Sequence, residues 1–176
     1  MKVKVGAIVV ALSMVCINSA FASSDDLEQR AKEKFEANRS TEVIVSYNKT
    51  NTKKTYENNL IPVRFIFERT ANQITWNSKT KTAAVVRNGR QLVFSSKDIT
   101  GSKNLIMWPK KWFTFKDGRT YVDMVYLNQI FDRYGDYEPN SEESAWAQKL
   151  SFLGISYIDS IYGGKDSIEH VFIDFN

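Results

Sequence analysis

The chain has 176 residues, of which 43% are hydrophobic and 13% aromatic, and its formal net charge is +4. This length suits one domain with its own buried core. So small a net charge gives no electrostatic case for nucleic acid, or for an acidic membrane surface, as the partner.

Residues 1–22 have the three parts of a secretory signal peptide. Lys2 and Lys4 form a positive start, an apolar run follows from Val5 to Ile17, and Ala20-Phe21-Ala22 is a small-residue cleavage site. The apolar run is shorter than the about 20 residues that a membrane-spanning helix needs. A buried N-terminal core helix is the alternative, but the order of the three parts favours cleavage near Ala22. We therefore expect a periplasmic or secreted protein.

Cleavage at this point removes two lysines and Cys16, the only cysteine. The remaining chain is then nearly neutral and has no thiol or disulfide chemistry. No later segment is apolar enough to predict a transmembrane helix, and stability must come from the core.

The first predicted element is an N-terminal helix, and residues 41–176 follow it as a single α+β domain that begins with a strand. Ser24-Asp25-Asp26 caps an N-terminal helix within residues 23–40. Residues 42–48 alternate as a strand does, and the polar residues 49–54 predict a loop. Pro62 then begins a short helix, because proline suits a first helical turn.

The middle of the chain predicts antiparallel strand pairs. Strands at residues 73–76, 81–87 and 90–94 surround a turn at Asn77–Thr80 and the hairpin signal Asn88-Gly89. Asp117-Gly118 is a second hairpin signal. Two further short strands, at 105–108 and 112–115, flank Pro109-Lys110-Lys111.

The C-terminal part predicts two helices and a last hairpin. Asp123 caps a helix that reaches Tyr134 and ends at a left-handed Gly135. Asn140 and Glu143 have the spacing of a capping box for a helix that Gly154 ends. Strands at 155–162 and 167–175 follow. The fold class is α+β, with a mostly antiparallel twisted sheet and short helices packed on it.

Residues 58–94 contain a turn, a helix start with proline and arginine, and a strand that ends in tryptophan. They are Asn59-Leu60-Ile61-Pro62-Val63-Arg64, Phe65-Ile66-Phe67-Glu68 and Ile74-Thr75-Trp76-Asn77. This stretch resembles the copper amine oxidase N-terminal-like domain, often called the stalk domain. A weaker second copy, Asp117 to Val122, leads into the helix at Asp123, so the resemblance covers residues 58–134. Residues 137–176 form a C-terminal helix-hairpin extension.

The resemblance implies a fold more than a function. In that family the domain is an accessory module, apart from the copper and quinone chemistry of the enzyme. It recurs in secreted and surface proteins of bacteria without a fixed activity. Copper binding by this chain is not implied, and any role taken from the fold alone is analogy.

No set of residues predicts catalysis, a metal or a cofactor. After cleavage the only His or Cys is His170, which alternates with Ile168 and Phe172 as a structural histidine on a strand does. Glu142-Glu143 and Asp25-Asp26 are interpreted as helix starts, although a carboxylate pair of glycosidase type stays an alternative. On the first helix Arg64 and Glu68 have ion-pair spacing. Trp76 is expected to pack in the core beneath that helix.

The candidate binding site is Trp108, Lys110, Lys111, Trp112 and Phe113, around a rigid Pro109. If both tryptophan rings are exposed, the segment can anchor a protein or stack on sugars, since tryptophan is enriched at binding hot spots. The alternative is a hairpin with both rings folded inward. Two lysines do not make a face for nucleic acid.

These observations favour a non-catalytic extracytoplasmic binding protein of stalk-domain-like fold, with a protein partner preferred over a glycan. A specific form of that hypothesis is a periplasmic inhibitor or immunity protein that neutralises a secreted toxin or hydrolase. The remaining alternative is a hydrolase that uses a carboxylate pair.

Overall fold

The structure is a computed structural model that describes Leu27, Gln29 and residues 40–99, 103–162 and 168–176. The predicted signal peptide lies outside the described residues, and so does most of the predicted N-terminal helix. Leu27 and Gln29 are both helical. The Leu27 side chain is fully buried in the hydrophobic core.

Short strands and a few short helices make up most of the described chain. The strands are β1 Ser40–Tyr47, β2 Thr50–Tyr56, β3 Leu60–Pro62, β4 Gln73–Asn77, β5 Thr82–Arg87, β6 Arg90–Ser95, β7 Leu105–Met107, β8 Phe113–Lys116, β9 Arg119–Asp123, β10 Ile155–Tyr162 and β11 Ile168–Phe175. The helices are α1 Val63–Phe67, α2 Met124–Phe131 and α3 Glu142–Leu150, with 3-10 turns at Lys110–Trp112 and Ser151–Leu153.

The strands of the described residues form three sheets, where a single sheet was expected. Their orders are β10-β11-β1-β2, β3-β9-β8 and β4-β5-β6-β7. Most pairs are antiparallel, as predicted, but β1 pairs with β11 and β6 pairs with β7 in parallel. The prediction of mostly antiparallel strands with a few short helices is therefore confirmed, whereas the prediction of a single sheet is wrong. The last hairpin joins the same sheet as the first strand, so the C-terminal residues complete the domain.

The loop predicted at residues 49–54 is wrong, since these residues lie in β2. Asn48 and Lys49 both have positive φ, of 50° and 60°, which is the geometry of a two-residue hairpin turn. β2 is an edge strand whose residues are exposed, apart from a half-buried Tyr56. Since neither face is buried, the sequence has no apolar alternation to reveal the strand.

The two predicted hairpin turns are confirmed. Asn88-Gly89 joins β5 to β6, and Asp117-Gly118 joins β8 to β9, with positive φ at all four residues. Residues 105–115 do not form a hairpin, because β7 pairs with β6 and β8 pairs with β9. The Trp108–Trp112 segment instead connects two sheets.

The two copies of the repeated motif are two strand–helix units. β3 runs into α1 with Pro62 at the N-cap, and β9 runs into α2 with Asp123 at the N-cap, both in an extended conformation. β3 and β9 pair antiparallel, with Ile61 opposite Val122 and both side chains buried. The internal repeat therefore has a direct structural counterpart.

Two predicted helix ends are wrong. α2 stops at Phe131, because Asp132 leaves the helical conformation and bridges to Ile158 of β10, and Gly135 has no positive φ. α3 is capped by the Ser141 hydroxyl, which accepts a hydrogen bond from the Ser144 amide at 3.1 Å. The capping box with Asn140 is thus not formed, although Glu142 does start the helix.

The end of α3 is held against the β5–β6 hairpin by two arginines. Arg87 donates to the Leu153 carbonyl, and Arg90 donates to the Lys149 carbonyl at 2.9 Å. Gly154 then turns the chain with φ of 74°, as predicted for a left-handed cap. These bonds satisfy carbonyls that a helix end leaves without internal partners.

Within the described part of the chain, none of the helices combines the length and the apolar character that crossing a bilayer requires.

Candidate functional site

The structure does not expose the two tryptophans of the predicted binding segment. Trp108 and Trp112 are each 1% exposed, so the condition on which the stacking hypothesis depended is not met. Lys110 and Lys111 are exposed and Phe113 is half-buried. The rings fold inward, as the alternative expected, although the hairpin expected with them is absent.

The rings are buried because distant helices supply aromatic partners. Trp112 stacks on Tyr126 of α2, with centroids 4.7 Å apart and planes 8° apart. Trp146 of α3 lies 5.8 Å from the Trp108 ring and 5.4 Å from the Trp112 ring. Trp108 Nε1 donates to the Trp112 carbonyl at 3.1 Å, so its polar atom is satisfied inside the core. We call these four residues the aromatic cluster.

The exposed part of this segment borders a cavity. A cavity of about 430 Å³ is bordered by Asp98, Ile99, Met107 and residues 108–112. Lys110 Nζ lies 2.9 Å from Asp98 Oδ1, which neutralises one of the two lysines. Phe113 turns to the sheet interface, 5.6 Å from Phe94 between ring centroids. The two lysines are accessible to a partner, but the tryptophan rings beside them are buried.

Trp76 was expected in the core and is instead one of the exposed large hydrophobic residues. Its side chain is 42% exposed at the end of β4. One described ring packs against it, that of Phe115 on β8, with centroids 5.1 Å apart at an angle of 60°. α1 is only five residues long. It borders the same groove as Trp76 and does not enclose the ring.

Trp76 forms a wall of the larger groove, of about 460 Å³, which we call the Trp76 groove. The groove lies between β2, α1, β4 and the turn that joins β8 to β9. Its apolar lining includes Tyr56, Phe65 and Ile74. Both copies of the repeated motif contribute to the groove. The first copy supplies Pro62, Arg64 and Glu68, and the second copy supplies residues 118–120.

Positive charge predominates in the Trp76 groove. Lys54, Arg64 and Arg119 line it, and Glu68 is the one carboxylate among its described residues. Among the described residues Arg64 and Glu68 do not form the predicted ion pair, although the Glu68 amide donates to the Arg64 carbonyl at 2.9 Å. Lys54 Nζ sits 5.6 Å from the centroid of the Tyr56 ring. The cations are thus available to an anionic group.

Tyr56 supplies a hydroxyl group to the same groove. Burial, reinforced by the negative charges of Glu68 and of ionised Tyr121, raises the pKa of Tyr56 to about 12. At neutral pH the phenol is protonated, as that of an ordinary tyrosine is, and it can donate a hydrogen bond. The groove combines aromatic surface, positive charge and a hydroxyl donor.

The other residues singled out from the sequence have structural partners. His170 Nδ1 lies 3.1 Å from Glu42 Oε1, and Lys53 Nζ lies 2.9 Å from Glu42 Oε2. Lys53, followed by His170, holds the pKa of Glu42 below its ordinary value, while burial opposes the shift. Glu143 is fully buried between helices, where Gln129 Nε2 donates to its Oε1 at 3.3 Å.

Neither cavity brings two carboxylates together among the residues that the structure describes. In the same residues, no group of three or more His, Cys, Asp or Glu side chains is placed to hold a metal ion. The predicted pair Asp25-Asp26 lies outside the described residues.

Comparison with known proteins adds one match. A family model described as the copper amine oxidase N-terminal domain matches residues 39–144. The match is wider than the stretch 58–134 on which the sequence resemblance depends, because it includes β1, β2 and the start of α3. Neither the curated proteins nor the solved structures give a match to this chain.

Proposed function

The chain belongs to the copper amine oxidase N-terminal domain family, and from that premise we propose that it is a non-catalytic binding protein. The Trp76 groove is its binding site, and a protein partner outside the cytoplasm is its ligand. The matched family is the N-terminal part of the amine oxidases and not their catalytic part. A role in binding agrees with that position.

The exposure of Trp76 is the observation that carries the proposal. Trp76 is 42% exposed, and the three cations beside it have no ion-pair partner among the described residues, so both apolar and charged groups are left for a ligand to satisfy. Tryptophan and arginine are the residues most enriched at the energetic centres of protein interfaces. The Trp108–Trp112 segment lacks this property because its rings are already enclosed.

Site-specific cross-linking tests the proposal. A photoreactive amino acid is placed at Thr75, which lines the groove, and in a control at Gln148, which is exposed on α3 and does not. We expect one partner to be captured from position 75 and not from position 148. After that partner is purified, Trp76→Ala is expected to weaken its binding about thirtyfold, the effect of losing a hot spot of about 2 kcal/mol.

The same experiment separates the alternatives. A partner whose affinity is unchanged by Trp76→Ala contradicts the groove as the site, provided that the variant is shown to be folded. If the partner is a secreted toxin or hydrolase and is inhibited on binding, the protein is an inhibitor or immunity protein. Binding to a glycan array that Trp76→Ala abolishes replaces the protein partner with a sugar. Hydrolytic turnover by the pure protein contradicts a non-catalytic role.

The location outside the cytoplasm is supported by the order of charge, apolar run and cleavage site in residues 1–22. The expected product begins at Ser23. Mass spectrometry of the N-terminus, from cells fractionated into cytoplasm and envelope, measures this directly. A chain that keeps Met1 to Ala22 in the cytoplasmic fraction contradicts it.

A further inference from the structure

We infer that the Trp76 groove binds an acidic, extended peptide segment, which adds to the free edge of β4 as a further strand. The inference rests on the proposed function and specifies the chemistry of the partner. Three features of the described residues carry it. They are the position of β4 in its sheet, the contrast between two edge strands, and the charge of the groove.

β4 is an edge strand that meets the groove along its edge. It ends the sheet order β4-β5-β6-β7, so only β5 pairs with it among the described strands. Ile74, Thr75 and Trp76, three consecutive residues, all line the groove. Successive side chains of a strand point to opposite faces. A cavity that touches three in a row therefore reaches the edge itself, where backbone donors and acceptors are free to pair.

The second edge strand at the groove is protected against such pairing, and β4 is not. β2 carries two lysines, and the Arg69 guanidinium donates to the Thr50 carbonyl at 3.2 Å. Charged side chains, lysine above all, are the usual protection of sheet edges. β4 reads Gln-Ile-Thr-Trp-Asn and has no charged residue. An uncharged edge with an exposed tryptophan is a template for an added strand.

The charge of the groove selects an acidic strand. Lys54, Arg64 and Arg119 outnumber Glu68 in the lining of the groove. Within the part of the chain that the structure describes, none of the three cations forms an ion pair. A partner strand with carboxylates would complement them, and a basic strand would add repulsion. Apolar side chains of the same strand can pack on Trp76 and Phe65. Backbone bonds give affinity here, and alternate side chains give specificity.

Synthetic peptides of about eight residues, within the usual length of a strand, test the inference on the full chain. The first peptide alternates glutamate with valine, and the second replaces every glutamate by lysine. Two more keep the acidic sequence and carry N-methyl groups on alternate backbone amides, in one register or in the other. Each peptide carries a fluorescent label, and binding is followed by anisotropy at low and at high salt.

We expect the acidic peptide to bind and the lysine peptide to bind at least about tenfold more weakly, the ratio for a difference of 1.4 kcal/mol. N-methylation in one register should weaken binding about tenfold or more, since it removes backbone bonds of about 1 kcal/mol each. The other register should bind as the parent does, because its amides point away from β4. High salt should weaken the binding of the acidic peptide, since salt screens the attraction between exposed charges.

A matched pair of variants locates the charge effect. Arg64→Glu with Arg119→Glu should reverse the preference between the acidic and the lysine peptide. Lys97→Glu with Lys103→Glu makes the same change in net charge at exposed positions that do not line the groove, and should leave the preference unchanged. If both pairs act equally, only the net charge of the protein matters and the inference is overturned.

Other results overturn the inference without touching the proposed function. Equal binding of both N-methylated registers excludes strand addition. Absence of binding by the acidic peptide excludes this class of ligand. If the partner cross-linked from position 75 still depends on Trp76 in either case, the groove is a protein-binding site of another kind. If no partner depends on Trp76, the proposed function itself fails.

Discussion

Trp76 and the Trp108–Trp112 segment have similar sequence surroundings and opposite positions in the fold. Each borders a polar turn with lysine, yet Trp76 is 42% exposed and the other two rings are 1% exposed. The aromatic cluster receives Tyr126 from α2 and Trp146 from α3, whereas among the described rings that of Phe115 alone packs against Trp76. Burial of a tryptophan thus depends on what distant elements bring to it, and not on its neighbours in the chain.

The largest expected effect on stability is at the buried tryptophans of this comparison. Trp112→Ala removes a fully buried ring and leaves Tyr126 and Trp146 without their central partner, so we expect a loss of about 3 to 5 kcal/mol of unfolding free energy. Urea denaturation followed by circular dichroism measures it. If Trp112→Ala costs no more than Trp76→Ala, the two regions do not differ as the structure says.

Gly154→Ala tests the junction that carries α3 to the aromatic cluster. The new Cβ would meet the Arg87 guanidinium, and φ of 74° is strained for alanine. We expect a loss of about 2 kcal/mol, the sum of left-handed strain and a weakened hydrogen bond. Gly89→Ala is the control, because its φ of 75° is the same and no atom lies within 4 Å of the new Cβ. Equal losses in both variants would show that the Arg87 contact does not stabilise the junction.

Trp76→Ala tests the exposed tryptophan of this comparison. We expect a loss of only about 1 kcal/mol of unfolding free energy, because the ring is partly exposed and packs on one neighbour, together with the loss of partner binding described above. Thermal denaturation gives the first quantity and calorimetric titration the second. A large loss of stability with unchanged binding would show that Trp76 stabilises the fold, as Trp112 does, and does not bind the partner.

The smallest effect is expected outside both regions, at the ion pair of Lys53 with Glu42. The folded-state pKa of Glu42 lies below its ordinary value of 4.5, chiefly because Lys53 donates to the carboxylate. Stability from this pair is therefore present above that value and is lost as the pH falls through the lowered folded-state pKa. Lys53→Met should flatten this part of the stability curve.

The flattening should amount to less than about 1 kcal/mol, because the Lys53 side chain is 65% exposed and water screens its charge. Chemical denaturation in steps from neutral pH to strongly acidic pH measures the curve. Lys103→Met, at an exposed lysine that takes no part in the pair, should leave its shape as in the wild type. A flattening as large in Lys103→Met would trace the slope to net charge.

The sequence predicted well where a feature depends on a few adjacent residues. Asn88-Gly89 and Asp117-Gly118 form the expected turns, because both residues of each pair accept positive φ. It predicted poorly where an element has no buried face, as in β2, or where a distant strand ends a helix, as β10 does at Asp132. The sequence analysis did not predict the Trp76 groove, although residues of both copies of the repeated motif line it.

By itself the sequence determined the turns, the helix starts at Pro62 and Asp123, and the family, since these depend on backbone preferences of neighbouring residues. Only the tertiary structure decided which tryptophans are enclosed and which one lines a groove. That choice follows from packing between residues far apart in the chain, as when α2 and α3 cover Trp112 and the short α1 leaves Trp76 open. Local patterns fix conformation, and contacts between distant elements fix exposure.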